Sequence, residues 1–457
     1  MNLFTIAVRN LLYRKFPTSL TILSMALGVA LVVVVLTISG VVEKTFDRTS
    51  NVGYNLIAGA KGNSMQLTFN TVFFLSQPVE NVPYTHYLEY LPGDERQAEI
   101  ARIGGVVKEP DRPGKYSKLM TGGFAIPLCM GDYIGQFRCV GTTSSYFEEL
   151  KHGDSNDQDY LFRKGRNFVE FSLDHGYFEA VIGSQVADEM KLGLGDKIFA
   201  SHGAAGGEEH DQAFQIVGVL APTGTPNDRG AFVNIEGFLL LEGHAAPERD
   251  PETGMEVKGT AVGPKRDSPL STARLPIEKR EVTAILLKPS GFNAINLQKQ
   301  VNKSSFAQAV SPISEINGLL SFFIKPIKWA LLALTSMVCL VSAISILVSI
   351  YNSMNERKRD IAVMRALGAS RDRVTLIILI ESVLICLIGG VLGWFMGHMI
   401  GPLANPWTES KTGIRLQFLN VNSEMEIWII PGLFLIGVLA GLIPSINAYR
   451  VSVAKSL

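Results

Sequence analysis

Three histidines form the part of this sequence whose side chains are best suited to bind a metal ion. His202, His210 and His244 bracket a glycine-rich loop and a pair of strand-like runs, with acidic residues on both sides of His210. Imidazole and carboxylate groups are common protein ligands of zinc. However, the spacing of these residues fits no fixed zinc pattern, and loops of this composition are usually solvated. We therefore predict no metal site, and the three histidines are the candidates if one exists.

Two cysteines could do redox chemistry. Cys129 and Cys139 lie ten positions apart across a short glycine-flanked stretch, a spacing compatible with a disulfide that closes a hairpin. Two free buried thiols are an equal alternative. The sequence contains neither an evident nucleophile and base arrangement nor a Gly-x4-Gly-Lys-Ser/Thr stretch that would cradle the phosphates of ATP. We therefore expect the chain to be non-catalytic.

Four long apolar runs are the main structural feature of the sequence around these groups. The chain has 457 residues, of which 47% are hydrophobic, with 42 basic and 42 acidic side chains. This balance gives no reason to expect a nucleic acid partner. Each apolar run exceeds the roughly 20 residues that cross a hydrocarbon core. The runs cover residues 18–42, 329–350, 374–397 and 427–449.

Glu381 is the one acidic or basic residue inside these runs. A carboxylate in the hydrocarbon core is costly unless it is neutralised or paired, so the side chain should face protein or water. We favour a structural hydrogen bond inside the helix bundle over a role in moving protons or substrate.

The charge distribution indicates the orientation of the chain. Between residues 356 and 373, six basic side chains outnumber three acidic ones, so the positive-inside rule places this loop in the cytoplasm. An even number of spans then places both ends of the chain there as well. The long stretch between the first and second spans has ordinary globular composition and would be extracytoplasmic. We therefore predict a multi-pass protein of the cell membrane.

The long stretch mixes strand-like runs with helix-like segments, which predicts an α+β domain. A loop rich in proline, glycine and charge, from Pro251 to Pro276, suggests a division into two lobes. Strand-like runs cover residues 180–182, 214–220, 231–235 and 282–287, and helical spacing covers 184–192 and 293–309.

The predicted fold class is an integral membrane α-helical protein with four transmembrane helices and a large extracytoplasmic α+β domain of two lobes between the first and second helices. The predicted order is a cytoplasmic amphipathic helix (1–16), transmembrane helix 1 (17–43), the extracytoplasmic domain (44–325, with a proximal lobe about 44–110 and 278–325 and a distal lobe about 111–275), transmembrane helix 2 (327–351), a cytoplasmic helical loop (352–373), transmembrane helix 3 (374–400), an extracytoplasmic loop (401–426), transmembrane helix 4 (427–449) and a cytoplasmic tail (450–457).

The loop between the second and third spans has the pattern of a short basic helix. Ile361, Met364 and Leu367 fall within an arc of roughly 120° at 3.6 residues per turn, and basic side chains flank that arc. Gly368 is placed to end this helix. A helix that merely contacts anionic headgroups at the membrane surface is the simplest alternative.

The segment ERKRDIAVMRALGAS, residues 356–370, closely resembles the hallmark loop of the FtsX/MacB-type ABC transporter permeases. The resemblance covers the whole chain, because an amphipathic start, one span, a large outside domain, three clustered spans and a short tail occur in the family's order. Segments 181–184, 192–196 and 217–229 also resemble the family's periplasmic core. The resemblance implies that the loop helix couples to a nucleotide-binding subunit through Glu356, Arg357, Arg359, Ile361, Met364, Arg365, Leu367 and Gly368.

The resemblance also implies partners. The chain would bind no cofactor itself, and ATP and magnesium are expected on a separate ABC-type ATPase subunit. The working unit would be a dimer with a second permease copy or a paralogue. Further expected partners are a periplasmic adaptor or lipoprotein and membrane lipid, with no nucleic acid. In a cell with two membranes, the chain would lie in the inner one.

A stripe of small residues suits close helix packing, either within one subunit or between two, and consists of Gly389, Gly393, Gly397 and Gly401.

Members of this family typically act by mechanotransmission, in which closure of the ATPase dimer moves the loop helix, tilts the spans and reshapes the outside domains. The resemblance thus implies export of a substrate from the outer side of the membrane, or its extraction from the membrane. The alternative is an FtsX-like regulator that activates an extracytoplasmic partner such as a cell-wall hydrolase. A receptor without an ATPase is a third reading. The size of the outside domain favours the transporter, and no charge concentration or aromatic cage indicates a substrate.

Overall fold

A computed structural model divides the chain into two compact units. One consists of residues 1–44 and 320–457, and the other of residues 45–319. The residues that the structure describes are 3–50, 53–153, 155–203, 207–247, 270–412 and 426–450.

Helices make up all the regular structure described in the first unit and connect the strands of the second. The α-helices in chain order are α1 (Leu3–Tyr13), α2 (Lys15–Ser50), α3 (Ser64–Phe73), α4 (Tyr84–Leu88), α5 (Gly93–Ile103), α6 (Ser145–Glu149), α7 (Ser184–Met190), α8 (Ile235–Leu239), α9 (Asn293–Val301), α10 (Pro312–Leu319), α11 (Lys325–Glu356), α12 (Lys358–Ala366), α13 (Arg371–Thr412) and α14 (Ile429–Arg450). Short 3-10 helices cover Ser117–Leu119, Pro226–Arg229 and Ile277–Lys279, and a π-helix covers Leu320–Ile324.

Within the described residues, four helical stretches are long and apolar enough to cross a membrane, as the sequence predicts. Helix α13 continues past the predicted end of the third span and reaches Thr412, inside the predicted loop 401–426. Residues 413–425 of that loop lie outside the described part of the chain. The four stretches are Lys15–Glu43, Pro312–Glu356, Arg371–Leu403 and Ile429–Asn447.

The second unit is built around one mixed sheet. The strands are β1 (Leu56–Ala60), β2 (Val82–Pro83), β3 (Phe124–Ile134), β4 (Phe137–Thr142), β5 (Lys151–His152), β6 (Gln158–Asp159), β7 (Phe162–Gly165), β8 (Glu179–Ile182), β9 (Lys197–His202), β10 (Glu209–Leu220), β11 (Gly230–Asn234), β12 (Glu281–Val282), β13 (Ala284–Lys288) and β14 (Ala307–Val310). The strand order of the mixed sheet is β14-β1-β13-β3-β4-β11-β8-β10-β7, and β9 pairs with both β10 and β3. The pairs β4–β11 and β8–β10 are parallel.

Both faces of this sheet are buried. Alternate residues of a strand point to opposite faces, so Leu56 and Ala58 of β1 enter one hydrophobic core and Ile57 enters the other. Strand β13 follows the same alternation, with Ile285 in the first core and Leu286 in the second. This explains why the predicted strands are nearly continuous apolar runs rather than alternating ones.

One sheet runs through both predicted lobes. Strand β13, from the predicted proximal lobe, pairs with β3, from the predicted distal lobe, with Ala284 opposite Leu128. The loop predicted from Pro251 to Pro276 lies for most of its length outside the described residues.

The helix predicted over residues 293–309 is wrong in its second half. Helix α9 ends at Val301, and Ala307 to Val310 form strand β14, which pairs with β1. The side chain of Asn302 explains the change, because it donates to the Ala309 carbonyl oxygen at 3.1 Å and accepts from the Ala309 N–H at 2.7 Å. Asparagine side chains that bond to backbone in this way compete with helix continuation.

Candidate functional site

Helix α12, which follows α11 and precedes α13, occupies the place of the predicted coupling helix. Ile361 is buried and Met364 is half-buried, and both pack in the apolar core of the helical unit. On the other side, Val363 is 41% exposed and Leu367 is 84% exposed. Leu367 therefore does not share the buried arc with Ile361 and Met364 as predicted, because α12 ends one residue before it.

Gly368 ends α12, as its sequence position indicates. Its φ of 97° lies in the region that glycine adopts without strain. The Ala369 N–H donates to the Met364 carbonyl oxygen at 3.0 Å, and the Gly368 N–H donates to the Arg365 carbonyl oxygen at 3.1 Å. These bonds satisfy carbonyl groups at the end of the helix. Helix α13 begins three residues later, at Arg371, so the loop has a defined end and restart.

The remaining side chains of α12 differ in exposure. Arg357 and Arg365 are half-buried, whereas Lys358 and Arg359 are exposed. Arg359 and Val363 are four residues apart and so share one helix face, and Leu367 follows directly after the end of the helix. The exposed face is both basic and apolar. We define the α12 outer surface as Lys358, Arg359, Val363 and Leu367.

Glu381 pairs inside the helical unit. Asn10 Nδ2 of α1 donates to Glu381 Oε1 at 2.5 Å, and Arg357 Nη1 lies 3.9 Å from the same oxygen. Arg357 Nη2 also donates to the Asn10 carbonyl oxygen at 3.1 Å. Beside them, Arg14 of α1 forms an ion pair with Glu356. The sequence did not predict the contacts of Asn10 and Arg14 with Glu381 and Glu356. The only signal in the sequence was the basic, amphipathic character of the N-terminal segment.

A cavity of about 590 Å³ lies next to this polar network. Its wall includes apolar side chains of α11, α12 and α13 as well as the network residues. The lining of α12, α11 and α13 includes Ile350, Met354, Ile361, Met364, Val374 and Ile378.

The predicted glycine stripe of α13 faces α2 at three of its positions. A Cβ atom added at Gly389 would lie 2.8 Å from Met25 Cβ, and one added at Gly397 would lie 2.7 Å from Val33 Cβ. At Gly393, between them, an added Cβ would overlap the Ala26 carbonyl oxygen. The stripe therefore lets two helix backbones approach closely within one subunit, one of the two alternatives for these glycines.

The three candidate histidines converge in the second unit. His202 ends strand β9, His210 lies near the start of β10, and His244 follows α8. They surround Asp132 of β3, and one ligand atom from each of the four side chains lies within 4.8 Å of the others. The register of the sheet explains why Asp132 joins the three histidines, because β3 pairs with β9 and Asp132 lies opposite His202. The acidic residues beside His210 in the sequence, by contrast, are exposed.

Asp132 is buried among these imidazoles. His202 Nδ1 lies 3.2 Å from Oδ1, and His210 Nε2 and His244 Nε2 lie 3.0 Å and 3.1 Å from Oδ2. Burial by itself raises the pKa of Asp132, but its contacts with His210, His244 and His202 outweigh the effect of burial. The pKa of the Asp132 carboxyl is therefore held well below its usual range. On the far side of its ring, His244 Nδ1 lies 2.8 Å from the Phe238 carbonyl oxygen.

Cys129 and Cys139 are free, buried thiols on the paired strands β3 and β4. The register places Cys129 opposite Gly141 rather than opposite Cys139, so the alternative of a disulfide across the hairpin is not formed. Burial raises the pKa of both thiols, which keeps them protonated and unreactive.

The sequence patterns of two families match this chain. The MacB-like periplasmic core domain matches residues 18–262, and the FtsX-like permease C-terminal region matches residues 315–453. The first match covers more than half of the chain and includes Asp132 and the three histidines. The second includes α12, Arg357 and Glu381.

Individual relatives share different parts of the chain. An uncharacterized ABC transporter permease of Methanocaldococcus jannaschii is 22% identical over 462 residues, which cover 100% of this chain and 97% of the relative. The macrolide export ATP-binding/permease protein MacB of Bordetella avium is 35% identical over 128 residues, 27% of this chain and 19% of that protein. MacB of Escherichia coli is 26% identical over 179 residues, 36% of this chain and 27% of that protein. The match therefore spans about a fifth to a quarter of the MacB proteins' length.

Proposed function

The chain belongs to the FtsX/MacB-type family of ABC transporter permeases, and we propose on that premise that it is the membrane subunit of a transporter driven by a separate ATPase subunit. The ATPase would bind ATP and magnesium, dock on the α12 outer surface and move α12 during each cycle. The large domain, placed outside the cytoplasm, would change shape in response and export a substrate or extract it from the membrane.

The observation that supports this proposal is the construction of α12. The helix presents an exposed surface that is basic at Lys358 and Arg359 and apolar at Val363 and Leu367. An exposed leucine beside basic side chains is the kind of surface that a protein partner covers. The opposite side of α12 packs in the helical core through Ile361. A force on the outer surface would therefore pass into the helices rather than into a free loop.

Two further features support a separate ATPase. The sequence contains no phosphate-cradling Gly-x4-Gly-Lys-Ser/Thr stretch. The Methanocaldococcus relative, which is named as a permease, is matched over nearly its whole length by this chain.

Basic residues of the α12 loop support a cytoplasmic position for this loop and an outside position for the large domain. By analogy with the family, the unit would be a dimer in the cell membrane, or in the inner membrane of a cell with two membranes, with a periplasmic adaptor or lipoprotein where one is present.

The test compares Leu367→Asp with Leu173→Asp. Leu367 is 84% exposed on α12, and Leu173 is 87% exposed in the large domain, so the two changes are matched in chemistry and exposure. The tagged chain would be purified in detergent together with the ATPase subunit, and the retained ATPase would be quantified. Ile361 is unsuitable as a test position, because it is 5% exposed and its replacement would disturb the helical core.

We expect Leu367→Asp to weaken binding of the ATPase by about tenfold or more, since a buried, unpaired carboxylate costs more than about 1.4 kcal/mol. Leu173→Asp should retain the ATPase at the level of the unchanged chain. Equal retention by the two variants, with both chains monodisperse, would remove α12 as the docking surface and with it the main support for the proposal.

A further inference from the structure

We propose that Asp132, His202, His210 and His244 bind one divalent transition-metal ion of the zinc class in the large domain. Three imidazole nitrogens and a carboxylate converge there from four separate segments: β3, β9, β10 and the chain after α8. The proposal concerns the large domain alone and does not depend on coupling to an ATPase.

The distances fit a tetrahedral site. Four ligand atoms at about 2.0–2.1 Å from a zinc ion lie roughly 3.3 Å apart at the corners of a tetrahedron. Oδ2 of Asp132 lies 3.0 and 3.1 Å from the ring nitrogens of His210 and His244, and Oδ1 lies 3.2 Å from that of His202. All four groups stay within 4.8 Å of one another. Small adjustments of side-chain torsions would bring all four ligands around one ion.

The hydrogen bond behind His244 indicates a cation in the cluster. A carbonyl oxygen only accepts, so the 2.8 Å contact with Phe238 puts the proton of a neutral His244 ring on Nδ1. Nε2 then carries a lone pair, yet it faces a carboxylate oxygen of Asp132 at 3.1 Å. Two acceptors at this distance require a cation between or beside them, either a metal ion or an added proton. An imidazole whose second nitrogen donates to a backbone carbonyl is also the usual arrangement of a metal-binding histidine.

The ligand set decides the class of metal. Calcium and magnesium prefer oxygen ligands only, whereas imidazole suits zinc and its transition-metal neighbours. Four protein ligands fill a tetrahedral zinc ion and leave no open position for a reacting group. The site therefore fits metal binding that links parts of the domain, and it does not fit hydrolytic chemistry. The ion would join β3 to segments 70, 78 and 112 positions away in the sequence, since those are the separations of His202, His210 and His244 from Asp132.

The site is reachable from solvent. The side chain of His202 is 52% exposed, whereas those of Asp132, His210 and His244 are 4%, 5% and 8% exposed. A cavity of about 230 Å³ adjoins the cluster and has Asp132, His202 and His244 in its wall. The partly open side suggests that the ion exchanges with solution, so that occupancy follows the metal concentration around the domain.

The experiment uses the full chain in detergent, stripped of metal with a chelator and then titrated with zinc alone. Competition with a chromogenic chelator gives the affinity, and elemental analysis after desalting gives the stoichiometry. His202→Gln removes the half-exposed ligand with little effect on the fold, and Asp132→Asn removes the carboxylate with almost no change in shape. His175→Gln is the matched control, because His175 also contacts a buried carboxylate, Glu179, at 3.2 Å outside the cluster.

We expect one zinc ion per unchanged chain and per His175→Gln chain. Both cluster variants should bind at least about 100-fold more weakly, because even indirect supports of a metal ligand are worth 10–100-fold in affinity. Cobalt added to the unchanged stripped chain should give the intense visible absorption of a tetrahedral complex, which zinc then displaces. This second measurement needs no variant and so remains valid if a substitution harms folding. No zinc bound by the unchanged chain, or equal affinity in all three variants, would overturn the proposal and leave the cluster as a network of protonated histidines.

Discussion

Close packing between α13 and α2 makes a sharp prediction for one residue, Gly393. An added Cβ at this position would overlap the Ala26 carbonyl oxygen and lie 2.8 Å from Val29 Cβ. Carbon atoms in contact prefer about 3.5–4.0 Å. The carbonyl belongs to the backbone and cannot rotate away, so the two helices would have to separate. Gly432 of α14 offers the matched control, because an added Cβ there meets no heavy atom of the described residues within 4 Å apart from its own helix backbone and chain neighbours.

The magnitude follows from two opposing terms. Alanine is favoured over glycine in a helix by about 1 kcal/mol, and this gain applies to both substitutions. Overpacking a well-packed interface costs typically about 1–3 kcal/mol, and this cost applies only to Gly393→Ala. The difference between the two variants therefore isolates the packing cost. We expect Gly393→Ala to be about 1–3 kcal/mol less stable than Gly432→Ala.

The assay is reversible unfolding of the detergent-solubilised chain by titration with sodium dodecyl sulfate in mixed micelles, followed by circular dichroism. Subunit association would be checked in parallel by light scattering, because a stripe at a dimer contact would lower association instead of stability. A difference below about 0.5 kcal/mol between the variants, or a larger loss in Gly432→Ala, would refute the packing of α13 against α2 described here. The threshold is close to the smallest effect that such mutations reliably show.

Two predictions concern charges buried in the large domain. Glu236→Gln should lower the free energy of unfolding by about 3–5 kcal/mol, because it leaves the buried Arg280 without its carboxylate, which lies 2.6 Å from Arg280 Nη2. Denaturant unfolding would compare this variant with the exposed control Glu242→Gln. Equal stability of the two variants would contradict the prediction. The pKa of Glu179 is about 2: burial raises it, but hydrogen bonds from Arg166 and a backbone N–H outweigh burial. Since the folded pKa lies below the ordinary value of 4.5, this residue stabilises the fold above pH 4.5 and loses that contribution as the pH falls toward 2. Unfolding at pH 6 and pH 3 should therefore show a smaller pH effect in Glu179→Gln than in the unchanged chain, and identical pH dependence would refute the assignment.

Local patterns predicted those elements whose causes are local. The strand at residues 180–182 and the end of α12 at Gly368 each depend on a few neighbouring residues, namely an apolar run bounded by turns and a glycine in the left-handed region. The four apolar stretches are equally local, because length and composition suffice. Strand β14 was missed because its state is set by pairing with β1, which is about 250 residues distant in sequence.

The cluster of Asp132 and the three histidines likewise depends on contacts that are distant in sequence. The three histidines could be named from the sequence, but their spacing gave no reason to bring them together. Asp132 was missed altogether, since only the pairing of β3 with β9 places it opposite His202. The acidic residues that flank His210 in the sequence are exposed instead. Sheet register is thus the information that composition and spacing lack.

The contacts around Glu381 determine how a displacement of α12 would spread. Arg357, at the start of α12, approaches Glu381 of α13 at 3.9 Å and donates to the Asn10 carbonyl oxygen of α1 at 3.1 Å. Asn10 in turn donates to Glu381 at 2.5 Å. Glu381 is the buried member of this triangle, so loss of its contacts with Asn10 and Arg357 would leave a buried carboxylate unsatisfied, which is costly. The start of α12 should therefore move together with α1 and the adjacent turns of α13, while Gly368 allows the other end of α12 to change direction. Under the proposed function, an ATPase that presses on Val363 and Leu367 would thus rotate α12 about its anchored start and transmit the motion into the spans.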